Sequence, residues 1–304
     1  MTTAAVFGLI AIVVFALAAP AVPRHLPPRV ATVTLVAGSL LAAASGVFIL
    51  AVLAFTWIGQ FPEVAAEGAW SPSVLRSSSP VPPVPAIVSG VLVALAMISA
   101  GLTSISRVRA MVAIHRACRG LVAVDDLVVL ADARPQAFTT PEPSGRVVVT
   151  QGLLRALNPR EREVVLAHEK SHLAHHHAWC NLIAGLAAAV NPVLRPVVRA
   201  VATSVERWAD EDAARGVGDR RLVAATIVHV AQLQSRSGAE RLPAATGGDI
   251  ETRVRALLAP PPGRRPLVVA AVAAMFLAGA VPSAVVQHSG ETLFEHAMAI
   301  SHQR

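Results

Sequence analysis

Two histidines four residues apart, with a glutamate directly after the first, stand at His168-Glu169-Lys170-Ser171-His172. On a helix that spacing puts both imidazoles on one face, about one turn apart, so both can reach a single zinc ion. Glu169 then lies beside the metal, placed to act as general base on a water that zinc activates. The motif is short, and zinc requires a third protein ligand from elsewhere in the chain.

Two sources of that ligand are open. A continuation of the form HExxHxxGxxH calls for Gly at 175 and His at 178, but the chain has His175 and Ala178. A glutamate from a later helix is the other source, and Glu206-Arg207-Trp208-Ala209-Asp210 supplies it. Asp210 follows Glu206 by four residues, on the same helix face, where its carboxylate can accept the free N–H of a ligand imidazole. His168, His172 and Glu206 are therefore the expected zinc ligands, Glu169 the expected catalytic base and Asp210 the partner behind a ligand. Acidic residues on helices usually form a solvated face, but the paired pattern favours the metal site. His176 prolongs the His168–His172 stripe by one turn, whereas His175, His176 and His177 together read as a polar helix end near a membrane surface. The sequence contains no tyrosine, so an oxyanion donor must be His or Arg, with Arg207, Arg215 and His176 as candidates.

Local signals say what holds the motif. Asn158-Pro159-Arg160-Glu161 starts a helix: Asn158 caps, Pro159 suits the first position and Glu161 completes a capping box. Val-rich stretches at 121–130 and 146–150 read as short strands, with a partner at 137–139 and a turn at 141–145. The strand at 146–150 is either internal or an open edge onto which an extended peptide could add. Helices are expected at 198–214, stopped by Gly216 and Gly218, at 219–234, and, after a loop with Gly247 and Gly248, at 250–258.

The chain around this region is too apolar for an ordinary soluble protein, with 54% hydrophobic and 15% charged residues. Uncharged runs at 4–22, 30–58, 86–105 and 267–286 each have the length of a membrane span. Arg24 and Arg29 follow the first run, which favours a retained span over a cleaved signal peptide. Residues 106–265 hold 22 Lys+Arg against 15 Asp+Glu, which accounts for the whole net charge of +7 and marks the cytoplasmic side. The basic residues are dispersed without interleaved aromatics, which argues against direct nucleic-acid binding. The apolar piece at 182–190, broken by Asn191-Pro192 and Pro196, is too short to span, so it stays on one side as a re-entrant hairpin or within the domain. A single crossing there would separate His168 from Glu206. Cys118 and Cys180 fall in the segment placed in the cytosol and are read as unpaired.

His168-Glu169-Lys170-Ser171-His172 with Glu206-Arg207-Trp208-Ala209-Asp210, preceded by Val147-Val148-Val149-Thr150-Gln151-Gly152-Leu153-Leu154, resembles the membrane gluzincins. Three spans, a cytosolic zinc domain and a fourth span are similar to the BlaR/MecR-type antirepressor metallopeptidases. That resemblance implies Zn2+ on His168, His172 and Glu206, catalysis by Glu169, and regulated proteolysis of a cytosolic transcriptional repressor or of the chain itself. Only 287–304 follow the fourth span, so the penicillin-binding sensor domain of those proteins is expected to be lacking. A more distant resemblance is to the HtpX-type quality-control proteases, which carry a membrane hairpin between the two motifs.

The expected fold is an α-helical integral membrane protein of four spans carrying an α+β gluzincin-like zinc metalloprotease domain. Its divisions are 1–105 for three spans with an extended extracytoplasmic loop at 59–85, 106–265 for the cytoplasmic peptidase, 266–286 for the fourth span and 287–304 for a short extracytoplasmic tail. Expected partners are a protein substrate, the lipid bilayer of the cytoplasmic membrane, and either a second copy of the chain or a separate sensor protein. A housekeeping protease for membrane proteins and a non-catalytic transducer with a zinc fold are the alternatives. A metal transporter is disfavoured because the spans carry no ionisable residues.

Overall fold

A computed structural model describes residues 1–118, 123–124, 126–140, 145–237, 247–260 and 266–301. The expected turn at 141–145, apart from Gly145, and the linker residues 261–265 lie outside that set.

Helix α1 (Thr2–Ala18) continues through a 3-10 turn into the short α2 (Val22–His25), and α3 follows at Pro28–Ile58. Two short helices, α4 (Pro62–Glu67) and α5 (Pro72–Ser78), lead into α6 (Pro83–Cys118). The stretch 59–85 is thus not an extended loop. Pro62 and Pro72 sit in the first helical positions, where a missing N–H costs nothing and the fixed φ suits a helix. Among the described residues three helical stretches are long and apolar enough to cross a membrane: Thr2–His25, Pro28–Ile58 and Pro83–Ala117. Their outward faces expose large apolar side chains, including Phe7, Val14, Leu40, Leu95 and Leu102, the composition expected where lipid replaces water.

A sheet and a helical layer follow. Strands β1 (Ala123–Val124), β2 (Leu127–Leu130), β3 (Ala137–Thr139) and β4 (Val147–Thr150) form one sheet in the order β1-β2-β4-β3. The stretch read as one strand is a two-strand hairpin, with Ala123 opposite Val128. β4 is buried along its length, runs parallel to β2 and antiparallel to β3, and is therefore internal. The open-edge alternative for 146–150 fails for this reason, and β3 is the edge strand, packed against the helix that carries His168-Glu169-Lys170-Ser171-His172.

Helix α7 (Gln151–Ala156) leaves β4 at once, capped by Thr150. Gly152 is required there because a Cβ would lie 2.0 Å from the Ala133 carbonyl oxygen. Helix α8 (Pro159–Ala174) carries the HExxH motif, α9 (His177–Val190) and α10 (Arg195–Val217) form a hairpin, and α11 (Arg220–Arg236) and α12 (Gly247–Leu258) close the layer. α10 runs through Gly216 and stops at Gly218, which adopts a left-handed φ of 75°. Gly247 and Gly248 begin α12 rather than forming a loop.

The last helix, α13 (Pro266–Ser301), contains Pro282 and extends through the stretch expected to be a tail. It lies along α1, with Pro282 beside Gly8, and its far end is anchored by Phe294, whose ring is 5.1 Å from Phe55 and 4.9 Å from Trp70. Ser71 also donates its backbone N–H to the carbonyl of Ala297. Apolar packing between these aromatics outweighs fraying of the helix end.

Helices α9 and α10 pack against the apolar helices. Ala184, Ala187, Leu194, Val197, Val201 and Val205 share one buried cluster with Phe15, Leu26 and Leu35. At the hairpin tip the Asn191 amide lies beside Gly46, midway along α3. Both helices return to the same end, so His168 and Glu206 are brought to one side.

Candidate metal centre

The rigid base of the site is α8. Asn158 accepts from the backbone N–H of Glu161 and Glu161 accepts from that of Asn158, each at 2.9 Å, with Pro159 in the first turn. His229 of α11 adds a 2.8 Å contact to Glu161. The capping box expected from the sequence is thus formed, and it fixes the axis on which His168, Glu169 and His172 are carried.

His168 Nε2 and His172 Nε2 lie 3.1 Å apart. Glu206 of α10 presents Oε2 at 3.5 Å from the first and Oε1 at 3.6 Å from the second. Bonds of about 2.0–2.1 Å at a tetrahedral angle separate neighbouring donors by about 3.3 Å, so three donors at these spacings fit one zinc ion with a position left open. One ligand atom from each of the three lies within 4.8 Å of the others. Two imidazole nitrogens and a carboxylate are also the donor set of catalytic zinc sites.

The second layer is more extensive than expected. His168 Nδ1 is 3.0 Å from Asp210 Oδ1, the pairing that the spacing of Glu206 and Asp210 suggests. Arg253 of α12, which sequence reasoning missed, donates to Asp210 through Nε at 2.8 Å and Nη2 at 2.7 Å, and approaches Glu206 through Nη1 at 3.0 Å. This guanidinium clamps both carboxylates. Behind α8, Asp212 accepts from Ser171 Oγ at 2.7 Å, contacts His175 Nε2 at 2.9 Å and pairs with Arg215. The contacts of Asp212 with Ser171 and His175 tie α8 to α10.

The three oxyanion-donor candidates are placed elsewhere. Arg207 is buried and donates to the carbonyl of Pro23, and Arg215 is held by Asp212. His176 is exposed at the α8–α9 junction with a left-handed φ of 51°. That reversal brings in its neighbour instead: His177 is 1% exposed, with Nδ1 3.0 Å from His172 Nδ1. Trp208 packs behind, stacked on His175 at 4.4 Å and covered by the Arg29 guanidinium at 5.8 Å.

The electrostatics follow from burial and these partners. Burial opposes charge on His168, but the hydrogen bonds its ring donates to Asp210 and Glu206 outweigh it and raise the metal-free ring to about 10. Burial, reinforced by His168, depresses His172 to about 4. Burial raises Glu169 to about 7, with His168 opposing and Glu206 adding to the shift. Glu206 itself is held well below the carboxylate range: burial works against its charge, and Arg253 and the two imidazoles overcome it. Without metal, the result is a Glu169 carboxyl near neutrality beside a Glu206 carboxylate that stays ionised.

No curated protein and no solved structure matches the chain. Residues 105–237 match the model of Peptidase family M48. That segment contains α8 and α10 with His168, Glu169, His172, Glu206 and Asp210, while Arg253 lies beyond it. Over these residues the chain is similar to a family of metallopeptidases.

Proposed function

We propose that the chain is a membrane-embedded zinc endopeptidase whose catalytic face is cytoplasmic. The observation that carries this reading is the convergence of His168 Nε2, His172 Nε2 and Glu206 at 3.1–3.6 Å beside a buried Glu169. Zinc, when bound, acidifies a water and polarises the scissile carbonyl. Glu169 would take the proton from the attacking water and return it to the leaving amine. Asp210 holds the His168 proton on Nδ1, which leaves Nε2 free for the metal. The edge strand β3 lies where a substrate backbone could add. Its register with β4 turns the backbone groups of Ala137 and Thr139 outward, away from the ladder.

Membrane embedding by four spans, with α13 as the fourth, and a cytoplasmic site are supported by the apolar faces and by the arginine excess of residues 106–265. On this reading the substrate is a cytosolic repressor or the chain itself. A second reading, quality control of membrane proteins, is favoured by one feature: the α9–α10 hairpin joins the two halves of the site and packs against α3 as far as Gly46.

Zinc stoichiometry of the purified chain tests the metal reading. One zinc per chain is expected, with less than a tenth retained in Glu206→Ala. A wild-type chain that binds no zinc would overturn it.

A further inference from the structure

We propose that His177 is a positioning residue that sets the tautomer of His172, accepting its Nδ1–H so that Nε2 faces the metal. This inference rests on the zinc reading above and adds a residue that the HExxH and ExxxD patterns do not contain.

Both ligand imidazoles direct Nε2 at one point, with the two atoms 3.1 Å apart. To bind there, neither Nε2 can keep a proton, so each ring must carry its proton on Nδ1. His168 has a carboxylate for that N–H, Asp210 at 3.0 Å. Among the described residues His172 has no carboxylate there; its Nδ1 faces His177 Nδ1 at 3.0 Å. Two ring nitrogens at that distance bond only if one donates and the other accepts. With His172 donating, His177 must be neutral with its proton on Nε2, and among the described residues that atom is buried without a partner.

The fold maintains this pair at a cost. His176 takes a left-handed backbone, unusual for a residue with a Cβ, and so ends α8 and starts α9 one residue later. The reversal carries the His177 ring back over His172, at 4.9 Å between centroids, and against Trp208 at the same distance. Trp208 fills the remaining side, and its own cover is Arg29 at the start of α3. The acceptor is therefore held by α9, α10 and the membrane-facing helices together.

The test compares zinc affinity of the full chain in detergent micelles, with zinc alone as the probe, competed against a chelator. His177→Gln retains a carbonyl acceptor, and His177→Phe keeps bulk without one. The Phe variant is expected to bind zinc roughly 10–100-fold more weakly, while the Gln variant stays within a few-fold of wild type. Thermal melting without zinc should give similar midpoints for the two variants. Wild-type affinity in His177→Phe overturns the proposal, as does an equal loss in both variants, or a Phe variant that melts far below the Gln one. Failure of the wild-type chain to bind zinc is a separate result, and it removes the metal reading itself.

Discussion

Asp210 takes donors from His168 and Arg253 while its side chain is 2% exposed, so its charge depends entirely on those two partners. Burial disfavours its ionised form, and Arg253 and His168 reverse the effect and hold it below the carboxylate range. Removing Arg253 leaves buried Asp210 and half-buried Glu206 with imidazole partners alone: Arg253→Met should destabilise the chain by up to about 3 kcal/mol, read as a lowered denaturation midpoint. Asp210→Asn preserves the shape but weakens the acceptor behind His168, and zinc affinity should fall roughly 10–100-fold in chelator competition. An unchanged affinity would mean that the contact is incidental. Glu206 and Asp210 could be read from their spacing because one helix carries both. Arg253 could not, since Thr252-Arg253-Val254 has no local feature and reaches the site only when α12 folds back. His177 escaped for a geometric reason. A straight helix puts His176 on the ligand stripe, and only the reversal at His176 brings His177 there instead.

Helix α8 owes its start to two side chains, and its orientation decides where the ligands point. Asn158→Ala should cost about 1 kcal/mol, measured by denaturation. The pH dependence of this cap has a definite sign. Glu161 lies below its ordinary value of 4.5; partial burial opposes that shift, and the Asn158 backbone N–H and His229 outweigh it. A group depressed on folding contributes stability that is present above its unfolded value and lost as pH falls through its folded value. Stability should therefore decline below about pH 4.5, and Glu161→Gln should flatten that part of the profile. A profile identical in the variant would contradict the assignment. Capping and strand signals were legible because they are local, as were β3 and the start of α8. The helices at 62–67 and 72–78 were obscured by the proline- and serine-rich text around them, although Pro62 and Pro72 are themselves helix starters. The internal position of β4 was also hidden, because its parallel partner β2 is separated from it by β3 in the chain.

At the scale of the whole molecule, the candidate metal centre is joined to the apolar helices at several points. Arg207 reaches the Pro23 carbonyl, Arg29 covers Trp208, and α9 and α10 share a core with α1 and α3. Apolar lengths and the arginine distribution predict that a reporter fused after residue 230 reads cytoplasmic and one at residue 304 reads extracytoplasmic. The reverse pattern would overturn the proposed orientation. Apolar runs and charge were readable from composition because each acts through its sum. The packing of α9 and α10 onto those runs was not, because it depends on the turn at Asn191-Pro192 meeting Gly46. The central claim is peptide-bond hydrolysis by Glu169 beside a zinc held by His168, His172 and Glu206. Its most direct test is proteolysis in membranes by wild type and Glu169→Ala, scored on the chain itself and on candidate protein substrates. Wild type should cleave, and the variant should be slower by roughly 10²–10⁴-fold while still binding zinc; undiminished cleavage by Glu169→Ala would contradict the account.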